Sequence, residues 1–260
     1  MNNRPITHIA AVFLPVKELK SSAAWWSGLL DLPIRDKGWD AIYGLPVAGT
    51  GILLDPNQYG FPHLVMYDTG NIDEAYRFAK EENYDIFYDL QRFPGVAFFN
   101  VFDAGKGNGI MICQGDNKLD KTAESLSGEC PIRPEISRVF AHSGDVDATI
   151  AWYVNMLGLS LERITRNENG CELRPADGAK LQVLDHRRNA IGPVRFDKLN
   201  ADIISHPLFE LTTGDIAAAR KWVAVNGGLI VEPMGDESES GSSFHFRDPD
   251  GNTIRVTEQR

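Results

Sequence analysis

The sequence predicts an α+β protein of four βαβββ modules that curl into two half-open barrels. Three observations carry this prediction. One segment pattern recurs four times, as VFLPVKELKSSAAWW, VMYDTGNIDEAYRFA, VFAHSGDVDATIAWY and FELTTGDIAAARKWV. Short β-prone runs follow each copy, and one polar stretch divides the four copies two and two. A pattern repeated at this scale reads as one supersecondary unit used several times.

Each copy opens with a β-prone run, turns on Gly, Asp, Asn or Glu, and enters an amphipathic helical pattern with an aromatic near its end. In the first module the helix leads to the strand-like runs DAIYGL and GILLD. In the second, Asn71 and Glu74 form a capping box at the helix start, and VAFFNVFD and GIMICQ follow. The stretch from Gly115 to Glu135 is polar, carries Gly and two prolines and has no apolar period, so it is the expected linker. That gives a first domain over residues 1–115, a linker over 116–135 and a second domain over 136–260. Asp145 caps the third helix, before GCELRP and KLQVLD, and Asp215 caps the fourth, before SFHFRD and TIRVTE. Two modules whose strands alternate in this way can share one concave face.

Composition narrows the function. At 260 residues the chain has room for two cores, and 43% hydrophobic with 24% charged residues is the balance of a folded globular protein. A net charge of −10 argues against nucleic acid and against anionic membrane surfaces as partners. No signal peptide or membrane span is read from the sequence, and Cys113, Cys130 and Cys171 lack CxxC spacing, so the expected location is cytoplasmic with reduced thiols. A small molecule is the expected partner; the sequence is equally open to formation of a homo-oligomer.

The module plan, with AWYVNMLGLSL from Ala151 to Leu161 and RDPDGNTIRV near the end, resembles the vicinal oxygen chelate superfamily, which includes glyoxalase I, the extradiol dioxygenases and the bleomycin resistance proteins. WWSGLLDLPI and DAGKGNGIMI are looser forms of the same two segments in the first half. The resemblance implies the glyoxalase/bleomycin resistance/dioxygenase fold. In metal-using members it further implies His, Gln or Glu ligands on the first strands of paired modules and on the strand after DPDGN. The matching positions here are Ala11, Leu64 and Met111 in the first half and Arg138, Leu208 and Arg255 in the second. None supplies a metal donor, and an arginine is a permanent competing cation.

Because side chains two apart share a strand face, the same count predicts what lines each concavity. The first face collects Ala11, Phe13, Leu64, Met66, Met111 and Cys113, and with Trp25, Trp26, Trp39 and Tyr43 nearby it is either a packed core or a pocket for an aromatic ligand. The second collects Arg138, Phe140, His142, His206, Leu208, Glu210, Thr253, Arg255 and Thr257. Arg138, His142, His206, Glu210 and Arg255 are the candidate ligand-binding residues: paired guanidiniums suit a carboxylate or phosphate. An internal ion pair of Arg138 or Arg255 with Glu210 is the structural alternative. No cofactor is expected, so the leading reading is a metal-free binder of a small organic molecule, anionic or aromatic. The first rival is a lyase or dioxygenase whose divalent metal sits at a displaced site of His142, His206 and Glu210. The second is a catalytically silent domain pair used for association.

Overall fold

The computed structural model describes residues 5–35, 41–59, 64–105, 108–115, 119–167, 170–185, 207–231 and 242–259. The first half contributes β1 (Ile6–Pro15), α1 (Leu19–Leu29), β2 (Tyr43–Leu45), β3 (Gly51–Asp55), β4 (Leu64–Thr69), α2 (Ile72–Glu81), β5 (Asp85–Phe93), β6 (Val96–Phe102) and β7 (Gly109–Gln114). The second contributes β8 (Ile132–Ser143), α3 (Val146–Leu157), β9 (Ile164–Asn167), β10 (Gly170–Leu173), β11 (Lys180–Asp185), β12 (Pro207–Thr213), α4 (Ile216–Val225), β13 (Leu229–Val231), β14 (Ser243–Arg247) and β15 (Thr253–Glu258). Among the described residues the first module shows one strand fewer than the other three.

Seven strands form one sheet, in the order β2-β3-β1-β4-β7-β6-β5, and eight form the other, in the order β13-β14-β15-β12-β8-β11-β10-β9. Both follow one rule. Paired modules meet through their opening strands, antiparallel, as β1 with β4 and β8 with β12. The closing strand of each module then runs parallel to its own opening strand: β3 to β1, β7 to β4, β11 to β8 and β15 to β12. Modules therefore pair within each half, and both sheets stay open at their edges.

The helix caps follow the sequence. Asn71 accepts from the Glu74 amide at 3.2 Å, Asp145 from Ala148 at 3.1 Å and Asp215 from Ala218 at 2.9 Å. At α1 the cap is Glu18, whose carboxylate accepts from the amides of Lys20 and Ser21.

The helices link the two halves. Trp26, fully buried, packs on Phe209 and Phe246 of the second sheet, and its indole N–H donates to Asp248 at 3.2 Å. Trp25 donates to the Asn226 carbonyl beyond α4, while Trp222 of α4 donates back to the Leu29 carbonyl, each at 2.8 Å. In the same manner Trp152 and Tyr153 of α3 pack, with tilted rings, against Tyr84 and Tyr67 of the first half. The DPDGN turn completes the junction: Asp250 accepts from the Lys17 amide and the Ser22 hydroxyl, and Asn252 donates to the Pro15 carbonyl. Its counterpart in the first half is Asn108, whose amide group donates to the His142 carbonyl and accepts from the His142 N–H. One apolar cluster consequently runs through both halves. The expectation that Trp25, Trp26 and Tyr43 adjoin the first concave face is corrected here: Trp26 and Tyr43 belong to that shared core and Trp25 packs against it. Trp39 lies outside the described residues.

Candidate functional site: a charged row on the second sheet

The face of each sheet away from the helices is its inner face. On the first sheet it is apolar and separately packed: Ala11, Phe13, Leu64, Met66 and Cys113 form their own cluster with Ala10, and Leu53, Phe87, Phe98 and Met111 pack on it. The strand parity read from the sequence placed the members of this set.

The second inner face differs in kind. Strand register sets Lys180 opposite Arg138, Arg138 opposite Glu210, Glu210 opposite Arg255 and Arg255 opposite His245, so one row crosses five neighbouring strands. The equivalent central row of the first sheet reads Ala11, Met66, Met111. Glu210, two residues along from the matched position Leu208, thus occupies the centre of the second sheet.

Glu210 is 1% exposed, and its carboxylate is held from several sides. Oε1 accepts from Ser137 Oγ at 2.8 Å and from Arg138 Nη1 at 2.8 Å. Oε2 accepts from the same Nη1 at 2.9 Å and from Thr257 Oγ1 at 2.9 Å. The Arg255 guanidinium stands farther off, with Nε 3.5 Å from Oε2, an ion-pair separation longer than a good hydrogen bond. Adjacent residues Ser137 and Arg138 both reach Glu210 because the β8–β12 register shifts between Glu210 and Thr212. Such a bulge bends the strand and re-aims its side chains.

Arg138 also bridges to a second buried carboxylate, donating to Glu172 Oε2 through Nη2 at 2.7 Å and Nε at 3.3 Å. Glu172 Oε1 in turn accepts from Arg174 Nε at 2.9 Å and lies 3.4 Å from Lys180 Nζ. Burial raises the Glu172 pKa, but hydrogen bonds from Arg138 and Arg174 and the charges of Arg138 and Lys180 outweigh it and leave the group below its ordinary value. Among these six side chains four are cationic and two anionic.

Of the candidates from sequence, Arg138, Glu210 and Arg255 come together, and Thr257 joins them as expected. His142 does not. Its ring is buried farther along β8, with Nε2 3.2 Å from the Pro207 carbonyl. His206 lies outside the described residues. Sequence reasoning missed Glu172, Arg174 and Lys180. Their signal was present in β10 and β11, where Glu172 and Gln182 alternate with the core residues Cys171, Leu173, Leu181 and Val183. Among the described residues no three His, Cys, Asp or Glu side chains gather where they could hold an ion. No helix among them is long and apolar enough to cross a membrane.

Residues 135–256 match the family model described as Glyoxalase/Bleomycin resistance protein/Dioxygenase superfamily. This half of the chain belongs to that superfamily. Solved structures extend the likeness of fold to the whole chain. A Mn(II)-bound glyoxalase from Novosphingobium aromaticivorans is 14% identical, with a TM-score of 0.62 over 98% of this chain and 83% of its own. A catechol 2,3-dioxygenase is 13% identical, with a TM-score of 0.60 over 98% of this chain and 88% of its own. A mutant 4-hydroxymandelate synthase from Streptomyces coelicolor is 11% identical, with a TM-score of 0.56 over 98% and 93%. At such identities the likeness is one of fold, and both sheets share it. A search of curated protein sequences returns no significant match.

Proposed function

We propose that the protein binds a small anionic organic molecule on the inner face of the second sheet, and that it does so without a metal ion. The observation that carries this reading is the row Arg138, Glu210, Arg255 across the three central strands. Guanidiniums recognise carboxylates and phosphates through directed N–H groups, and the Arg255 side chain is 17% exposed.

A divalent cation, such as the Mn(II) of the Novosphingobium glyoxalase, does not suit this donor set. The one carboxylate at the centre already accepts four hydrogen bonds, two of them from a guanidinium, and a second guanidinium stands 3.5 Å away. Two fixed positive charges beside a site oppose a third. The same saturation of its lone pairs makes Glu210 a poor general base, so binding without chemistry is the reading favoured here.

Isothermal titration with benzoate, propionate and ethyl phosphate tests it, with benzamide as the neutral control. Saturable binding of at least one anion, lost in Arg255→Met while the fold persists by circular dichroism, is the expected result. Binding unchanged in Arg255→Met, or stoichiometric manganese, iron, nickel or zinc on elemental analysis of the purified protein, would overturn it.

A further inference from the structure

We infer that the site carries a second, anion-binding subsite at the exposed rim of the charged row, formed by Arg174 and Lys180, so that the ligand it takes best is a dianion: a dicarboxylate or a phosphorylated acid. This deepens the proposed function and rests on it. The argument starts from Glu172. Its two oxygens are served by Arg138 and Arg174 at 2.7 and 2.9 Å, and a third cation, Lys180, stands 3.4 Å away. Two carboxylates, Glu172 and Glu210, do not offset the four cations Arg138, Arg174, Lys180 and Arg255, and two of the four face solvent, with side chains 51% exposed for Arg174 and 42% for Lys180.

Arg174 is also held in a way that an incidental surface arginine does not need. Its Nε is taken by Glu172, leaving the Nη edge of the fork directed away from that contact. Its backbone is pinned, since its amide donates to the Arg163 carbonyl at 2.9 Å and the Arg163 guanidinium donates to the carbonyls of Arg174 and Pro175 at 3.3 and 3.0 Å. Order fixed in advance lowers the entropy lost when an anion docks. Lys180, directly opposite Arg138 in register, places its ammonium on the same carboxylate, so both rim cations share one anchor. Arg138 ties that anchor to Glu210 and thence to Arg255. A ligand with one anionic group at Arg255 and another at the rim would engage both ends of this chain of ion pairs.

The test is titration of the full chain with propionate against the α,ω-dicarboxylates succinate, glutarate and adipate, in wild type, in Arg174→Gln/Lys180→Gln, and in the charge-matched control Lys20→Gln/Arg77→Gln on the remote α1 and α2. The best dicarboxylate should bind wild type and control about tenfold or more tightly than propionate, the value of one charge-assisted hydrogen bond. The rim variant should lose that preference and keep its propionate affinity. A preference that survives in the rim variant, or that the remote control erases equally, would overturn the subsite. Equal binding of propionate and every dicarboxylate would overturn it while leaving the proposed function standing. No binding of any of them to wild type would overturn this inference; the proposed function falls with it only where benzoate and ethyl phosphate fail to bind as well.

Discussion

Arg138 spans two carboxylates that are almost wholly removed from water, Glu210 at 1% and Glu172 at 6% exposure. Replacing it with methionine would strand Glu210 with two hydroxyl donors and a distant guanidinium, and breaking a buried pair in this way costs roughly 3–5 kcal/mol. Arg255→Met removes only the 3.5 Å ion pair from Glu210, whose hydrogen bonds from Arg138, Ser137 and Thr257 remain, so its loss should be clearly smaller. Arg138→Met/Glu210→Met should lose less than Arg138→Met alone, because no buried charge is left without its main partner. Urea denaturation midpoints check all three; equal losses in the two arginine variants would contradict this division of roles. Strand parity alone could group Arg138, Glu210, Arg255 and Thr257, since it fixes which face a side chain takes. It could not find the Arg138–Glu172 bridge, because which strand lies beside β8, and in what register, is written in no single strand's pattern.

At the scale of elements, the segment with linker composition is strapped to the first half. Asp31, at φ 55° just beyond α1, accepts on Oδ2 from Ser125 Oγ, from the amides of Ser127 and Gly128, each at 2.8 Å, and from Ser127 Oγ at 3.0 Å. Arg35 pairs with Glu124, and residues Ala48 and Gly49 bridge to Glu135 and Asp120. The Ser127 amide and the Ser125 hydroxyl, with the Gly128 amide, hold the Asp31 carboxyl down at about 2. A carboxyl depressed on folding lends stability that is present above its ordinary value near 4 and is lost as pH falls through that value toward 2. The Ser127 and Gly128 amides should therefore lose protection from hydrogen exchange, after correction for intrinsic rate, between about pH 4 and pH 2. In Asp31→Ala they should exchange fast at every pH. Protection indifferent to both changes would mean the strap is held by something else. Polar composition signalled a connection here, and the capping residues Asn71, Asp145 and Asp215 marked three helix starts, because both signals are local. The strap was illegible because its anchor lies about a hundred residues upstream in sequence.

Across the whole molecule, the internal repeat disclosed the unit but not its neighbours. Each half supplies a sheet, yet α1 covers Phe209 and Phe246 of the second sheet, and α3 sets Tyr153 against Tyr67 of the first. The DPDGN turn, readable in sequence as a tight turn, is also a joint. Asp248 accepts from the amides of Asp250 and Asn252, from the Asn252 side chain and from Trp26, and burial pushes its pKa up to about 7 against the pull of those donors. Independently folding domains meet across small, polar surfaces; here the buried apolar cluster is continuous through the junction. We therefore expect residues 1–118 and 119–260, produced separately, to lack cooperative thermal transitions, since each would expose the surface that Trp26 and Phe246 bury together. Mixed, they should associate one to one and recover a single transition, with a blue shift in tryptophan emission as Trp26 returns to its site. A cooperative transition in either fragment alone would show that the junction is a contact between finished domains, and the charged row on the second sheet could then be studied in its own half of the chain.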